Sequence, residues 1–321
     1  MIPADLSRAV VRAVRRAVEG GELGGPVPER IVVERTRPGG AGEYATPVAF
    51  QMAKRDARAP RDVADTLARL LAAEPGIARV EITGAGFLNF TLAPRSDADL
   101  VREVLRRGHR YGYADTAVHP DPLRWAPTVG PRERAVREAV ARIRASQGQD
   151  QDLGEAAVAP VARRDGDVIA VYGRDAARWA MLSVPPRETP SFHPGLLVQD
   201  ESSESFLVRY AHARARALTR NAARLGFQAD AGEGGGKALT GLLADHPLVL
   251  EAAAHHRAPE RLCRHLVAVA DALLDHQHHV LPQGDEKPSA AHRARLALAE
   301  AAGTVLAGGL ALLGVDAPDF L

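Results

Sequence analysis

Apolar residues recur at every fourth position at the start of the chain. Leu6, Val10, Val14 and Val18 fall on one face of a helix over residues 1–20, with Asp5 or Ser7 as candidate caps. A Gly- and Pro-rich break at 20–29 follows, and Ile31-Val32-Val33 then reads as the start of a short strand. Pro60-Arg61-Asp62 opens a second helix carrying Val63, Leu67, Leu70 and Leu71, which Pro75-Gly76 stops. The period then changes to two. Arg79 to Ile82 reads as one strand and Phe87 to Leu92 as another, with Leu88, Phe90 and Leu92 alternating against Phe87, Asn89 and Thr91. A helix over about Ser96–Arg107 closes an α+β unit.

The pattern thins between 110 and 200. It predicts one helix over Pro131–Ala145, a polar linker at 146–155, a short strand at Val168–Tyr172, a helix at Asp175–Leu182 and a proline-rich passage. Beyond Glu201 nearly everything is helical, with candidates at Glu201–Leu225, Lys237–Ala244, Pro247–His255, Pro259–Leu281 and Ser289–Leu313. The chain thus reads as an α+β N-terminal domain followed by a mainly α-helical bundle.

Composition narrows the class. The 321 residues, 46% hydrophobic and 25% charged, suit a folded soluble protein of two or three domains. No unbroken apolar run approaches the ~18 residues of a membrane helix, and the N-terminus has no secretory h-region. One cysteine, Cys263, excludes an internal disulfide framework and a Cys-based zinc site. These features predict a cytoplasmic protein without a membrane partner. The net charge of +1 gives no global pull toward nucleic acid, so any such binding needs a local basic patch. The only lysines are Lys54, Lys237 and Lys287.

Three ordered segments resemble the class I arginyl-tRNA synthetases. Gly42-Glu43-Tyr44-Ala45-Thr46 with Gln51-Met52-Ala53-Lys54, then Gly84-Ala85-Gly86-Phe87-Leu88-Asn89-Phe90, is similar to that family's N-terminal additional domain. Gly173-Arg174-Asp175-Ala176-Ala177-Arg178-Trp179 resembles the Asp-Ala-(Leu/Ala)-Arg stretch that opens its anticodon-binding domain. Val208 to Arg214 and Leu312 to Pro318 resemble parts of the anticodon-binding helical bundle. The resemblance implies three regions: an N-terminal α+β domain at 1–112, a degenerate catalytic remnant or linker at 113–172, and an anticodon-binding bundle at 173–321.

The family's catalytic domain is a nucleotide-binding fold of parallel strands. A single βαβ unit takes ~30 residues and such a fold needs several, so the space between Tyr113 and Asp175 cannot hold a complete catalytic domain. The resemblance also implies a His-x-Gly-His turn at a helix N-terminus for ATP phosphates. Ala126-Pro127-Thr128-Val129-Gly130-Pro131 keeps the outline of the preceding Asn-Pro-Thr-Gly-Pro turn, but no histidine lies between His119 and His193. The Lys-Met-Ser-Lys-Ser loop belongs near Arg163-Arg164-Asp165-Gly166-Asp167, where no lysine occurs, and arginine does not supply the same compact ammonium. The expectation is a tRNA-binding relative that does not aminoacylate alone and needs no cofactor or metal.

By the resemblance, Phe87 and Asn89 would recognise the tRNA elbow by stacking and edge hydrogen bonds. Core packing explains Phe87, and an ordinary strand polar group Asn89, equally well. Gly84, where the family has a third contact residue, offers no side chain. Tyr210, His212, Arg214 and Arg209 would face the anticodon loop, with Leu321 standing where the family usually ends in Met. Tyr210 and Arg214 share a helix face, and the run Arg209, Arg214, Arg216, Arg220, Arg224 suits phosphates. The competing reading is a solvated basic helix face with a half-buried Tyr. His276, His278 and His279 read as polar helix surface rather than a metal site, and Cys263 as a buried, inert thiol. The expected partner is tRNA, tRNA-Arg by the resemblance, together with an enzyme that uses arginyl-tRNA. The rivals are a regulatory or interaction module without tRNA binding, one part of a split ligase, or unrelated chemistry from the loop carboxylates Glu155, Asp165 and Asp167.

Overall fold

In a computed structural model of the chain, the described residues are 3–28, 31–36, 40–93, 96–119, 128–150 and 157–321. They form two compact units, 1–95 and 96–321.

The first unit holds α1 (Pro3–Glu19), α2 (Val48–Asp56) and α3 (Pro60–Leu71) with a four-stranded antiparallel sheet. Its strands are β1 (Glu34–Arg35), β2 (Tyr44–Thr46), β3 (Ile77–Thr83) and β4 (Phe87–Leu92), in the order β1-β2-β4-β3. The four-residue repeat of α1 is its buried stripe, with Leu6, Val10 and Val14 fully enclosed together with Ala9, Ala13 and Ala17. On β4, Leu88 and Phe90 are fully buried, and Phe90 lies opposite Tyr44 on one side and Val80 on the other. The strand expected from Ile31 is shifted to Glu34. The Ser7 hydroxyl donates to the Ile31 carbonyl (2.9 Å) and that of Thr46 to the Val32 carbonyl (2.6 Å), so side chains occupy acceptors that a ladder would use.

The second unit is helical: α4 (Asp97–Arg107), α5 (Pro131–Ser146), α6 (Val168–Tyr172), α7 (Arg174–Leu182), α8 (Glu204–Arg224), α9 (Lys237–His256), α10 (Pro259–His276) and α11 (Ala290–Leu313). Three expectations change here. First, α4 does not close the first unit. Its buried Leu100, Val101 and Val104 belong to the bundle, where α4 packs on α11 and α9. Gly308 on α11 permits the approach, since a Cβ there would stand 2.8 Å from the His109 carbonyl oxygen. Second, Val168–Tyr172 is a helix, although its β-branched residues read as a strand. The Asp167 carboxylate accepts from the Ile169 and Ala170 amides and caps it. Third, residues 237–256 are one helix through Pro247. Pro247 leaves the Leu243 carbonyl without its helical donor, and the buried Tyr111 hydroxyl donates to that oxygen at 3.1 Å.

The stretch read as a remnant supplies α5, which packs on α7, α9, α10 and α11. Its Arg132 is 1% exposed and donates to the carbonyls of Met181, Ala159, Glu188 and Pro185, fastening the connector to the bundle. Ala126, Pro127 and Glu155 lie outside the described residues. Among the described residues, α11 is the one helix long and apolar enough to cross a membrane, and 83% of its most apolar stretch is buried in the bundle.

Candidate nucleic-acid interface

In the first unit, the β3–β4 turn presents Phe87. Its ring is 45% exposed and lies 4.9 Å, centroid to centroid, from Phe50 of α2. Asn89 is different. It is 5% exposed, and its Nδ2 donates to Thr83 Oγ1 at 2.7 Å and to the Phe87 carbonyl at 3.3 Å. Strand alternation puts the two on one face, but only Phe87 is open. Asn89 is the internal clamp of the hairpin. Gly84 sits at φ +56° with open space around it, and Gly86 brings the turn against α3, since a Cβ there would meet the Pro60 carbonyl oxygen at 2.9 Å.

In the second unit, α8 carries the predicted basic run. Tyr210 is 38% exposed and stacked on Phe206 with ring centroids 5.6 Å apart. Arg214 is half-buried and donates to Gln277 Oε1 at 2.6 Å, tying α8 to the 3-10 turn Gln277–His279. His212 is not on the open face. It lies among Val208, Ala211 and Ala215 in the stripe that packs on α11, with its Nδ1 2.9 Å from the Pro318 carbonyl oxygen. Burial pushes its pKa below the usual histidine value.

The segment after α11 uses much of the remaining charge on α8. Arg209 Nε donates to the Asp316 carbonyl at 3.3 Å, Arg216 Nε meets Asp319 Oδ1 at 2.9 Å, and Arg220 donates to the Asp319 carbonyl at 3.3 Å. The Arg220 guanidinium also stands 4.1 Å from the centroid of the Phe320 ring. Sequence spacing found these arginines but not their partners, which lie about a hundred residues further along the chain. Leu321 is exposed and lines a cavity of about 330 Å³ with Tyr172, Phe206, Arg209 and Leu197.

Behind this surface, the Asp175–Arg178 stretch is a fastener. Arg178 Nε donates to the Leu313 carbonyl at 2.6 Å while its Nη2 pairs with Glu138 at 2.9 Å. Arg142 Nε takes the Leu312 carbonyl at 2.8 Å, so two arginines satisfy the end of α11. Burial, with Arg178 and Arg174 close by, pulls the Arg142 pKa down to about 10.

Two segments of the chain match known domain families. Residues 4–92 match the arginyl tRNA synthetase N terminal domain, and residues 208–321 match the DALR anticodon binding domain. Both matched segments are domain types of the arginyl-tRNA synthetase family. An arginine–tRNA ligase of Frankia alni is 43% identical over 157 residues, covering 46% of this chain and 28% of that protein. One from Micrococcus luteus is 33% identical over 242 residues, covering 70% and 41%. The chain therefore matches less than half the length of these curated relatives. The fold is similar to that of Thermus thermophilus arginyl-tRNA synthetase, with a TM-score of 0.63, 14% identity and alignment over 100% of both chains.

Two further sequence readings are settled by burial. His276 is 8% exposed, so the 276–279 group is not all surface. Cys263 is enclosed, and burial pushes its thiol pKa up, which keeps it protonated. Sequence reasoning missed Phe50 and Phe206, the aromatic neighbours of Phe87 and Tyr210. The i, i+4 spacing of Phe206 and Tyr210 on one helix was an available signal, whereas Phe50 and Phe87, 37 residues apart on different elements, meet only through packing.

Proposed function

We propose that this chain binds tRNA, specifically tRNA-Arg, at the elbow and at the anticodon loop, and does not aminoacylate it by itself. The observation that carries this reading is the fate of residues 93–207, between the two matched domains. Their described residues are spent on α4, α5, α6 and α7, which pack within the helical unit. The same stretch contains no lysine, and no histidine lies between His119 and His193, so the phosphate ligands of the family's two signature loops have no counterparts there. In this reading Phe87, backed by Phe50, stacks at the elbow. Tyr210, backed by Phe206, meets the anticodon loop with Arg209, Arg214 and Leu321. Asn89 and His212 position their neighbours, holding the hairpin and the Pro318 carbonyl respectively. An enzyme that consumes arginyl-tRNA is the partner such a protein would serve.

The test is binding of the purified chain to tRNA-Arg and to a second tRNA across a salt series, run beside arginine charging and ATP–pyrophosphate exchange. The expected result is selective binding without charging, with affinity falling about a thousandfold from 50 to 200 mM salt if about six phosphates are contacted. Equal, weak binding of both tRNAs would instead indicate a protein-interaction module. Charging by this chain alone would overturn the non-catalytic reading, and charging restored by a separate chain would identify half of a split ligase.

A further inference from the structure

Arg216 and Arg220 lie one turn apart on α8, so their guanidinium groups share a face. Both are turned onto Asp319, Arg216 onto its carboxylate and Arg220 onto its backbone carbonyl. We infer that Arg216 and Arg220 form a subsite for one phosphodiester of a bound RNA, and that the Asp319 carboxylate occupies it in the free chain as a stand-in for that phosphate. The inference rests on the tRNA-binding reading and goes further by naming a subsite and the group that competes for it.

Three features support the exchange. The planar guanidinium fork fits carboxylate and phosphate oxygens by the same two-point geometry, so one can replace the other without rebuilding the site. The Arg216–Asp319 pair is exposed, 54% and 53% at the two side chains, and exposed pairs are weak enough for a phosphate to displace. The segment itself stays anchored when the carboxylate leaves, because Pro318 is held by buried His212 and Asp316 by Arg209. A second carboxylate, Glu300, faces Arg216 from α11, but it is bonded to the Thr219 hydroxyl at 3.0 Å and half-buried. Asp319 is the acid free to swing away.

The experiment measures the dissociation constant for tRNA-Arg, and its salt slope, in the full chain and in Asp319→Asn, Arg216→Gln and the double variant. Asp99→Asn, which removes another exposed paired acid in the same unit, controls for net charge. Asp319→Asn should tighten binding about 2- to 5-fold, the scale of an exposed ion pair. Arg216→Gln should weaken binding and lower the salt slope by about 0.7, one single-strand phosphate contact. The gain from Asp319→Asn should vanish when Arg216 is already Gln. Both side chains are exposed, and thermal melts check that each variant folds. Tight binding that Asp319→Asn leaves unchanged, or a gain that persists without Arg216 or that Asp99→Asn reproduces, overturns the subsite alone. Failure of every variant, wild type included, to bind tRNA overturns the tRNA-binding reading and the subsite with it.

Discussion

Acidification should destabilise the helical unit through a pair of buried histidines. His246 and His265 stack with ring centroids 5.2 Å apart, and Tyr111 also stacks with His246 at 6.0 Å. They are 2% and 6% exposed, and neither His246 Nδ1 nor His265 Nε2 has a hydrogen-bond partner. Burial pulls the His265 pKa from 6.5 down to about 4 and holds His246 well below its ordinary value, with the neighbouring His265 adding to the effect. Between those two values the unfolded chain takes up a proton that the folded chain refuses. The stabilisation is therefore complete above about pH 6.5 and is lost as the pH falls toward 4. At 1.36 kcal/mol per unit, His265 alone removes about 3 kcal/mol between pH 7 and pH 4, and His246 adds to the loss. Urea unfolding followed by the fluorescence of Trp179, which is 2% exposed in the same unit, measures this. Carboxylates titrate over the same range, so the comparison is with His265→Gln, whose stability should fall about 3 kcal/mol less over that interval. Parallel pH dependences for the two proteins would refute the argument.

Other substitutions test the fasteners. Arg132→Met strips donors from four carbonyls and should cost about 3 kcal/mol or more in urea unfolding, with hydrogen exchange rising across residues 157–188. Tyr111→Phe leaves the Leu243 carbonyl at the proline of α9 unpaired and should cost about 1–2 kcal/mol by the same measurement. Asn89→Ala should destabilise the first unit by about 1–2 kcal/mol through the lost hairpin clamp. Phe87→Ala should cost less stability, since the ring is half-exposed, yet weaken tRNA binding about tenfold by gel-shift titration, the worth of one stacked base.

Local periodicity was enough to place most of the helices. The stripe Leu6, Val10, Val14 and the alternation at Leu88 and Phe90 appear in the structure as fully buried faces, because a face that repeats at 3.6 or 2 residues can be covered by one neighbouring layer. The domain identities were also legible, since the hairpin at 84–90 and the segments around Tyr210 and Leu312 carry strings that fall inside the matched domains. Where a short segment had two options, pattern failed. Val168–Tyr172 has strand-forming residues, yet the Asp167 cap holds it helical, and Pro247 did not end its helix because a tyrosine more than a hundred residues away supplied the missing donor.

The sequence by itself determined most of the helices and the β3–β4 hairpin, the family that its two matched segments resemble, and that the span between them is short. Only the tertiary structure decided what the charges do. Arg209, Arg216 and Arg220 read as a free phosphate-facing run, but residues 316–319 occupy them. His212 and Asn89 read as contact residues, but both are buried and bonded within their own unit. A helix spacing fixes the direction of a side chain from its own axis. Which acid, carbonyl or ring meets it there depends on distant chain brought alongside, and that is settled only when the units pack.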